Sequence, residues 1–376
     1  MITRVEVQSL RMRALLLAGN PRDSVADVVT HLGAMQAQDL ASGLWSLGMR
    51  LRGAGGSAGP GGAVTQALVE EALERREALR TWPMRGTVHL VPARDAAWML
   101  ALMGVKPLRD AARRRAFLGI DEQTVEHANA ALEEALAGGG RLSRAQCLEV
   151  IAAAGVEAPR QVGYHLLWYA SQVGLTCIAP HVDGEQTFVL LREWVPDHVE
   201  LSREQALATI ARRYVRSHGP VTVKDLARWT GLGVRDCRAG VAGAGDDVAE
   251  VATEEGPMLV SGDVAASLSG GVTPVEGWVI PPGFDEFMLG YGDRSAFLDD
   301  GHLEAVVPGS NGVFRATLVR DGRVVGTWKR SLKARRCVVE VAPLVRLGAA
   351  ARREAESAFA PYAGFVGLPV EVSWAA

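Results

Sequence analysis

The sequence predicts an α+β fold of three tandem winged-helix units followed by a C-terminal β domain. Three observations predict it. Twice, within 1–94 and again within 95–197, a run of amphipathic helices gives way to a short ribbon of period-two residues, the pattern of a winged helix. A third set of helices fills 198–265, and His218-Gly219-Pro220 to Leu232 reads as helix-turn-helix. In the last unit, 266–376, the periodicity becomes mostly two from Trp278 onward, with turns at Gly309, Gly312 and Gly322. The chain has 376 residues, 48% of them hydrophobic, enough for two or three domains with a packed core.

Each element has a local reason. Val5 to Ala18 carries apolar residues at helical spacing, and Asn20-Pro21 breaks it. Asp23 or Ser24 caps a second helix, Val25 to Met35, and Asp39 to Gly43 reads as a break after it. A Gly-rich loop is expected from Gly53 to Gly62, then a helix from Val64 to Ala78 and a ribbon from Thr81 to Val91. The second unit reads as helices over Asp95 to Met103, Asp121 to Ala137, from Ser143, and Arg160 to Val173, then a hairpin turning at Asp183-Gly184. Ser143 with Gln146, and Ser202 with Gln205, have capping-box spacing. A helix from Ser202 to about Ser217 opens the third unit, and shorter helices start at Thr222 and Val234. Ala349 to Phe359 is the last expected helix and Val366 to Trp374 the last strand.

Charge is unevenly placed. The chain holds 40 Lys+Arg against 43 Asp+Glu, a net −3 that neither supports nor excludes nucleic-acid binding. Residues 313–336 nevertheless hold eight Lys/Arg against Asp321 alone, a net +7. Residues 203–238 carry +5 and 104–118 carry +4. Such zones steer a polyanion to one face, although any single run also reads as a solvated surface. Four scattered cysteines, Cys147, Cys177, Cys237 and Cys337, form no CxxC pair, so no metal or cluster framework is visible and no cofactor is expected. Reduced thiols in a cytoplasmic protein are expected. No apolar run reaches membrane-spanning length, and the N-terminus does not read as a secretion signal.

The most informative feature is Gln36-Ala37-Gln38, where the second helix ends. On a continuing helix, side chains at i and i+2 diverge; on an extended segment they return to one side. Two amides there converge on one point, such as a water molecule or a sugar oxygen. The competing reading is a solvated polar pair at a helix end.

The segment His31 to Asp39 resembles the Gln-aliphatic-Gln signature of the AlkZ-like winged-helix DNA glycosylases, relatives of the YcaQ enzymes. Thr81-Trp82-Pro83-Met84-Arg85-Gly86-Thr87-Val88-His89-Leu90 resembles a second stretch of that family. So do Gly219-Pro220 with Asp225, Trp229 and Gly231-Leu232; Pro282 to Phe287 with Gly290-Tyr291 and Asp293-Arg294; and Asp321 to Trp328. YcaQ-type members carry Asp at the second Gln position, so Gln38 places this chain nearer the AlkZ branch.

The resemblance implies a concave DNA-binding scaffold and a monofunctional glycosylase acting on N7-alkylguanine, bulky adducts and interstrand crosslinks included. Self-resistance to a DNA-alkylating natural product is a further implication. It assigns Gln36 and Gln38 to positioning the attacking water. An N7-alkylated guanine is already a cationic leaving group, so strong acid catalysis is unnecessary, and neutral amides orient water without burying an unpaired charge. A lyase would need a poised Lys, and none is near Gln36 in sequence.

Arg85 and His89 alternate with Thr87 on one strand face and are candidates for phosphate contact, or for a network under the first wing. Lys329, Arg330, Lys333, Arg335 and Arg336 follow a predicted hairpin and are the strongest phosphate candidates, pressing into a groove of double-stranded DNA. Asp285 and Glu286, if on a strand, face opposite ways, and Asp293-Arg294 reads as an ion pair. Trp82, Trp98 and Trp168 read as core. A P-loop, an HExxH pair and a Gly-x-Ser-x-Gly elbow are absent. The alternatives are a non-catalytic winged-helix regulator, which would be a spaced dimer, and an inactive scaffold. For an enzyme a monomer is expected.

Overall fold

The computed structural model describes residues 1–54 and 63–375, so most of the expected Gly53–Gly62 loop lies outside the described residues. Three helix-and-hairpin units lead into a C-terminal β domain. The first opens with Arg4–Ala14, held by a capping box between Thr3 and Glu6, and Val25–Leu32, capped by Ser24. The second helix stops three residues earlier than its apolar period suggests, because Gly33 takes φ +82. The chain then extends, and Met35–Gln36 joins a sheet.

The break expected over Asp39 to Gly43 is confined to its first residue. Leu40–Gly48 is a helix with Asp39 at the N-cap position. Gly43 is a contact residue, not a breaker: a Cβ there would sit 3.1 Å from that of Ala37. Trp45 anchors this helix between Tyr362 and Phe365, with ring centroids 5.1 Å from each. Truncating so buried a Trp typically costs about 3–5 kcal/mol.

The hairpins of the first two units merge. Ala78–Met84 and Thr87–Pro92 pair through a two-residue turn, Arg85-Gly86, with φ +56 and +70. Thr176–Val182 and Glu185–Leu190 form the second hairpin, and Arg80 pairs with Ile178 to make one six-stranded sheet. Between them runs Val105–Leu118, a helix with no buried residue. Its inward face is only Leu108, Ala111 and Leu118, partly buried against the second unit's core, and five basic residues interrupt that pattern in the sequence. Trp82, Trp98 and Trp168 are buried.

The third unit packs Arg203–His218 against Val223–Thr230 and Val234–Gly243, followed by the hairpin Val248–Thr253 and Gly256–Ser261. The β domain is a five-stranded sheet whose long strands are Arg323–Lys333 and Arg336–Pro343. Its period-two reading fails over 280–315, which is loops and short helices. One of these is Glu286–Leu289, so Asp285 and Glu286 do not lie on a strand. The last helix ends at Ser357; Ala360–Val366 forms another, and Val370–Trp374 closes the sheet parallel to Arg336–Pro343. One large core joins the first and third units to the β domain, while the second unit has a core of its own.

Candidate active site

Gln36 pairs with His89 across the antiparallel ladder, and Ala37 N–H donates to the Val88 carbonyl at 2.8 Å. This short extended run turns the fully buried Ala37 inward and both glutamines to the other side. Gln36 Nε2 donates to Gln38 Oε1 at 2.9 Å. Gln36 is buried at 7% exposure and Gln38 is exposed, so the pair runs from interior to surface. Among the described residues, Gln36 Oε1 and Gln38 Nε2 carry no hydrogen bond.

Beneath the pair lies a carboxylate that sequence reasoning discounted. The Gln36 main-chain N–H donates to Glu286 Oε1 at 3.2 Å. Glu286 Oε2 accepts from Trp229 Nε1 at 2.8 Å and lies 3.4 Å from His218 Nε2. Glu286 and His218 are fully buried, and His218 stacks on Tyr214 at 4.5 Å. Burial opposes the charge on Glu286. The His218 hydrogen bond, the fields of His218 and Arg85, and the Trp229 N–H outweigh it and hold the carboxyl below its usual range. Its neighbour Asp285 looks elsewhere, to a bidentate ion pair with the fully buried Arg50 at 2.8 and 2.9 Å. Asp285 also caps Phe287 N–H at 2.9 Å, which fixes the short helix that carries Glu286.

Arg85 is not on the strand face expected for it but in the hairpin turn, at φ +56, and its guanidinium still meets His89. His89 Nδ1 is 2.8 Å from the Thr87 carbonyl, and Nε2 is 3.2 Å from Arg85 Nη2. Donation from Nδ1 leaves Nε2 to accept from the guanidinium. Burial, then the Arg85 charge, pushes the His89 pKa down to about 3, so the ring is neutral. His89 is fully enclosed, whereas Arg85 is partly exposed.

The five basic hairpin residues divide. Arg330 Nη2 donates to Asp39 Oδ2 at 2.7 Å and Nη1 to Ser42 Oγ at 3.3 Å, tying the hairpin to the residues just after Gln38. Asp39 is thereby an ion-pair partner. Lys329 pairs with Glu340 at 3.0 Å and Arg336 with Glu371 at 3.5 Å. Lys333 and Arg335 sit at the hairpin tip, exposed beside Leu332, and have no ion pair among the described residues. The expected Asp293–Arg294 ion pair does not form: Asp293 accepts from Ser295 N–H at 2.8 Å, and Arg294 donates to the Met288 carbonyl at 2.6 Å. Cavities of about 760 and 520 Å³ flank Asp39, the first lined by Leu44, Arg80, His181 and Trp194, the second by Phe284, Phe314 and Arg330.

The family model for AlkZ-like DNA glycosylases matches residues 29–365, nearly the whole chain. The chain belongs to the AlkZ-like DNA glycosylase family. It is 26% identical over 342 residues to an interstrand DNA cross-link repair glycosylase of Streptomyces sahachiroi, covering 86% of this chain and 87% of that protein. The fold is that of the solved DNA glycosylase AlkZ of the same organism, with a TM-score of 0.80 at 23% identity over 99% of this chain and all of that one. Membership makes the chain a DNA glycosylase and sets aside the non-catalytic regulator. Among the described residues, no helix of this AlkZ-like chain is long and apolar enough to cross a membrane.

Proposed function

We propose that this glycosylase hydrolyses the N-glycosidic bond of N7-alkylguanine in double-stranded DNA, in bulky adducts and interstrand crosslinks, with Gln36 and Gln38 as its catalytic residues. The observation that carries this reading is the Gln36–Gln38 hydrogen bond, which locks both amides and leaves the Gln36 carbonyl free. That carbonyl accepts from the attacking water. The C1′–N9 bond breaks, its electron pair leaves with the cationic base and neutralises it, and water adds to the oxocarbenium-like sugar and loses a proton to solvent. No side chain acts as a strong acid: His89 is neutral and enclosed, and Asp39 is engaged by Arg330. The relative's name supports the crosslink substrate.

Arg85, supported by His89, contacts a phosphate near the lesion. Lys333 and Arg335 lead the hairpin into a groove, with Lys329, Arg330 and Arg336 behind them. The protein works as a cytoplasmic monomer divided at 1–94, 95–197, 198–265 and 266–376, and serves self-resistance to an alkylating natural product.

The test is base release from duplexes carrying N7-methylguanine or a nitrogen-mustard crosslink, read as alkali-labile sites. Gln36→Ala and Gln38→Ala should each lose at least about a hundredfold in turnover while still binding DNA. Full turnover by either variant rules that residue out of the site, and no release by wild type from either duplex rejects the substrate.

A further inference from the structure

A second basic pocket, in the second unit, lies apart from the glutamines. It has a volume of about 560 Å³ and is lined by Arg114, Leu118, Arg144, Arg160, Tyr164 and His165. Arg115 beside it is paired with Glu122, but among the described residues Arg114, Arg144 and Arg160 have no carboxylate partner. Arg114 donates only to the neutral Gln161 at 2.7 Å, and Arg144 lies 5.6 Å from the Tyr164 ring, which is half exposed. Arg160 opens the helix Arg160–Gln172, whose N-terminus has Pro159 at the cap and no side-chain cap, so its first N–H groups are left without a side-chain acceptor. His165 also lines the pocket, is 6% exposed, and has an Nε2 that is enclosed without a hydrogen-bond partner. Three guanidiniums without carboxylate partners and a helix N-terminus converge on one concavity, an arrangement that suits an oxyanion.

We propose that this pocket clamps one backbone phosphate of the DNA that the glycosylase acts on. The helix Val105–Leu118 sets its place. Near the start of that helix, Lys106 lines a cleft with Arg85 and Gly86; Arg114, eight residues further on, lines the pocket. At 1.5 Å per residue the separation is about 12 Å. With the helix laid along the duplex axis, a rise of about 3.4 Å per nucleotide puts the clamped phosphate about three to four nucleotides from the one nearest Arg85. Only this register rests on the proposed role of the glutamine site; the phosphate clamp itself does not.

The experiment measures equilibrium binding of the full chain to an unmodified duplex between 50 and 200 mM salt. Neutralising one phosphate contributes about 0.9 to the slope of log K against log salt. Arg114→Ala/Arg144→Ala/Arg160→Ala should therefore lower the slope by about 0.9, with affinity down about tenfold at 50 mM and a few-fold at 200 mM. An unchanged slope, or one lowered about three times as much, overturns the single-phosphate clamp. The three side chains are exposed, and an unchanged Tm shows that the variant is folded. The register is read with single methylphosphonates around a non-hydrolysable 2′-fluoro N7-methylguanine. One position, about three to four nucleotides away, should weaken wild type and not weaken the triple variant further. Loss that adds to the variant at every position overturns it. Failure of wild type to release N7-methylguanine rejects the proposed chemistry and leaves the salt comparison standing.

Discussion

The main-chain N–H of Gln36 donates to Glu286, 250 residues further along the chain, at 3.2 Å. The carboxylate's other oxygen is held by Trp229, so the first and third units meet the β domain at one fully buried side chain. A glutamine at 286 has one acceptor for two donors and must face either Gln36 or Trp229 with an N–H. Glu286→Gln should therefore lower kcat about ten- to a hundredfold, with KM little changed. A double-mutant cycle with Gln36→Ala tests whether it acts through Gln36. The double variant should be no slower than Gln36→Ala alone; additive losses would mean that Glu286 only supports the fold.

The tip and the root of the basic hairpin should respond differently. Lys333→Ala/Arg335→Ala removes two unpaired charges and should reduce the salt slope of DNA affinity by about one to two. Arg330→Ala removes a charge already paired with Asp39, so the slope should change little. Asp39 is half exposed, so stability should fall by no more than about 1 kcal/mol. A larger change in salt slope from Arg330→Ala than from the tip variant would reverse this division.

Acid should destabilise the protein well before its carboxylates protonate. Burial holds His89 at about 3 and His31 at about 4, against 6.5 in the unfolded chain. Below pH 6.5 the unfolded state binds the extra protons, so stability is full above that value and falls as pH drops toward the folded pKa. At pH 5 each histidine costs up to about 2 kcal/mol. Urea unfolding at pH 7 and pH 5 should show this, and His89→Gln should remove up to about 2 kcal/mol of the difference. An unchanged pH dependence in that variant would mean that His89 is not held neutral.

Gly43 should matter more to turnover than to folding. A Cβ there meets the Ala37 Cβ at 3.1 Å and the Leu90 side chain at 3.3 Å, so it displaces the residue between the two glutamines. Gly43→Ala should slow base release several-fold while Tm shifts by only a few degrees. A turnover equal to wild type would show that Ala37 moves without carrying the glutamines.

The sequence by itself determined the helix caps at Ser143 and Ser202 and the two-residue spacing of Gln36 and Gln38, whereas the tertiary structure chose Ser24 over Asp23 as a cap and put Arg85 in a turn. Those two caps and that spacing are local: a cap is a hydrogen bond over three residues, and a side chain's direction on an extended run follows from its period. The tertiary structure alone decided what those residues meet. Burying Glu286 required Gln36 of the first unit and His218 and Trp229 of the third to converge on the β domain, and no local signal distinguishes it from its neighbour Asp285, which pairs with Arg50. Equally, the basic run after the hairpin showed how many charges there were, but not which were free. Cross-strand register and docking neutralise Lys329, Arg330 and Arg336 and leave Lys333 and Arg335 exposed at the turn. The helix Val105–Leu118 was missed because its inward face is only Leu108, Ala111 and Leu118, partly buried, a weak stripe among five basic residues.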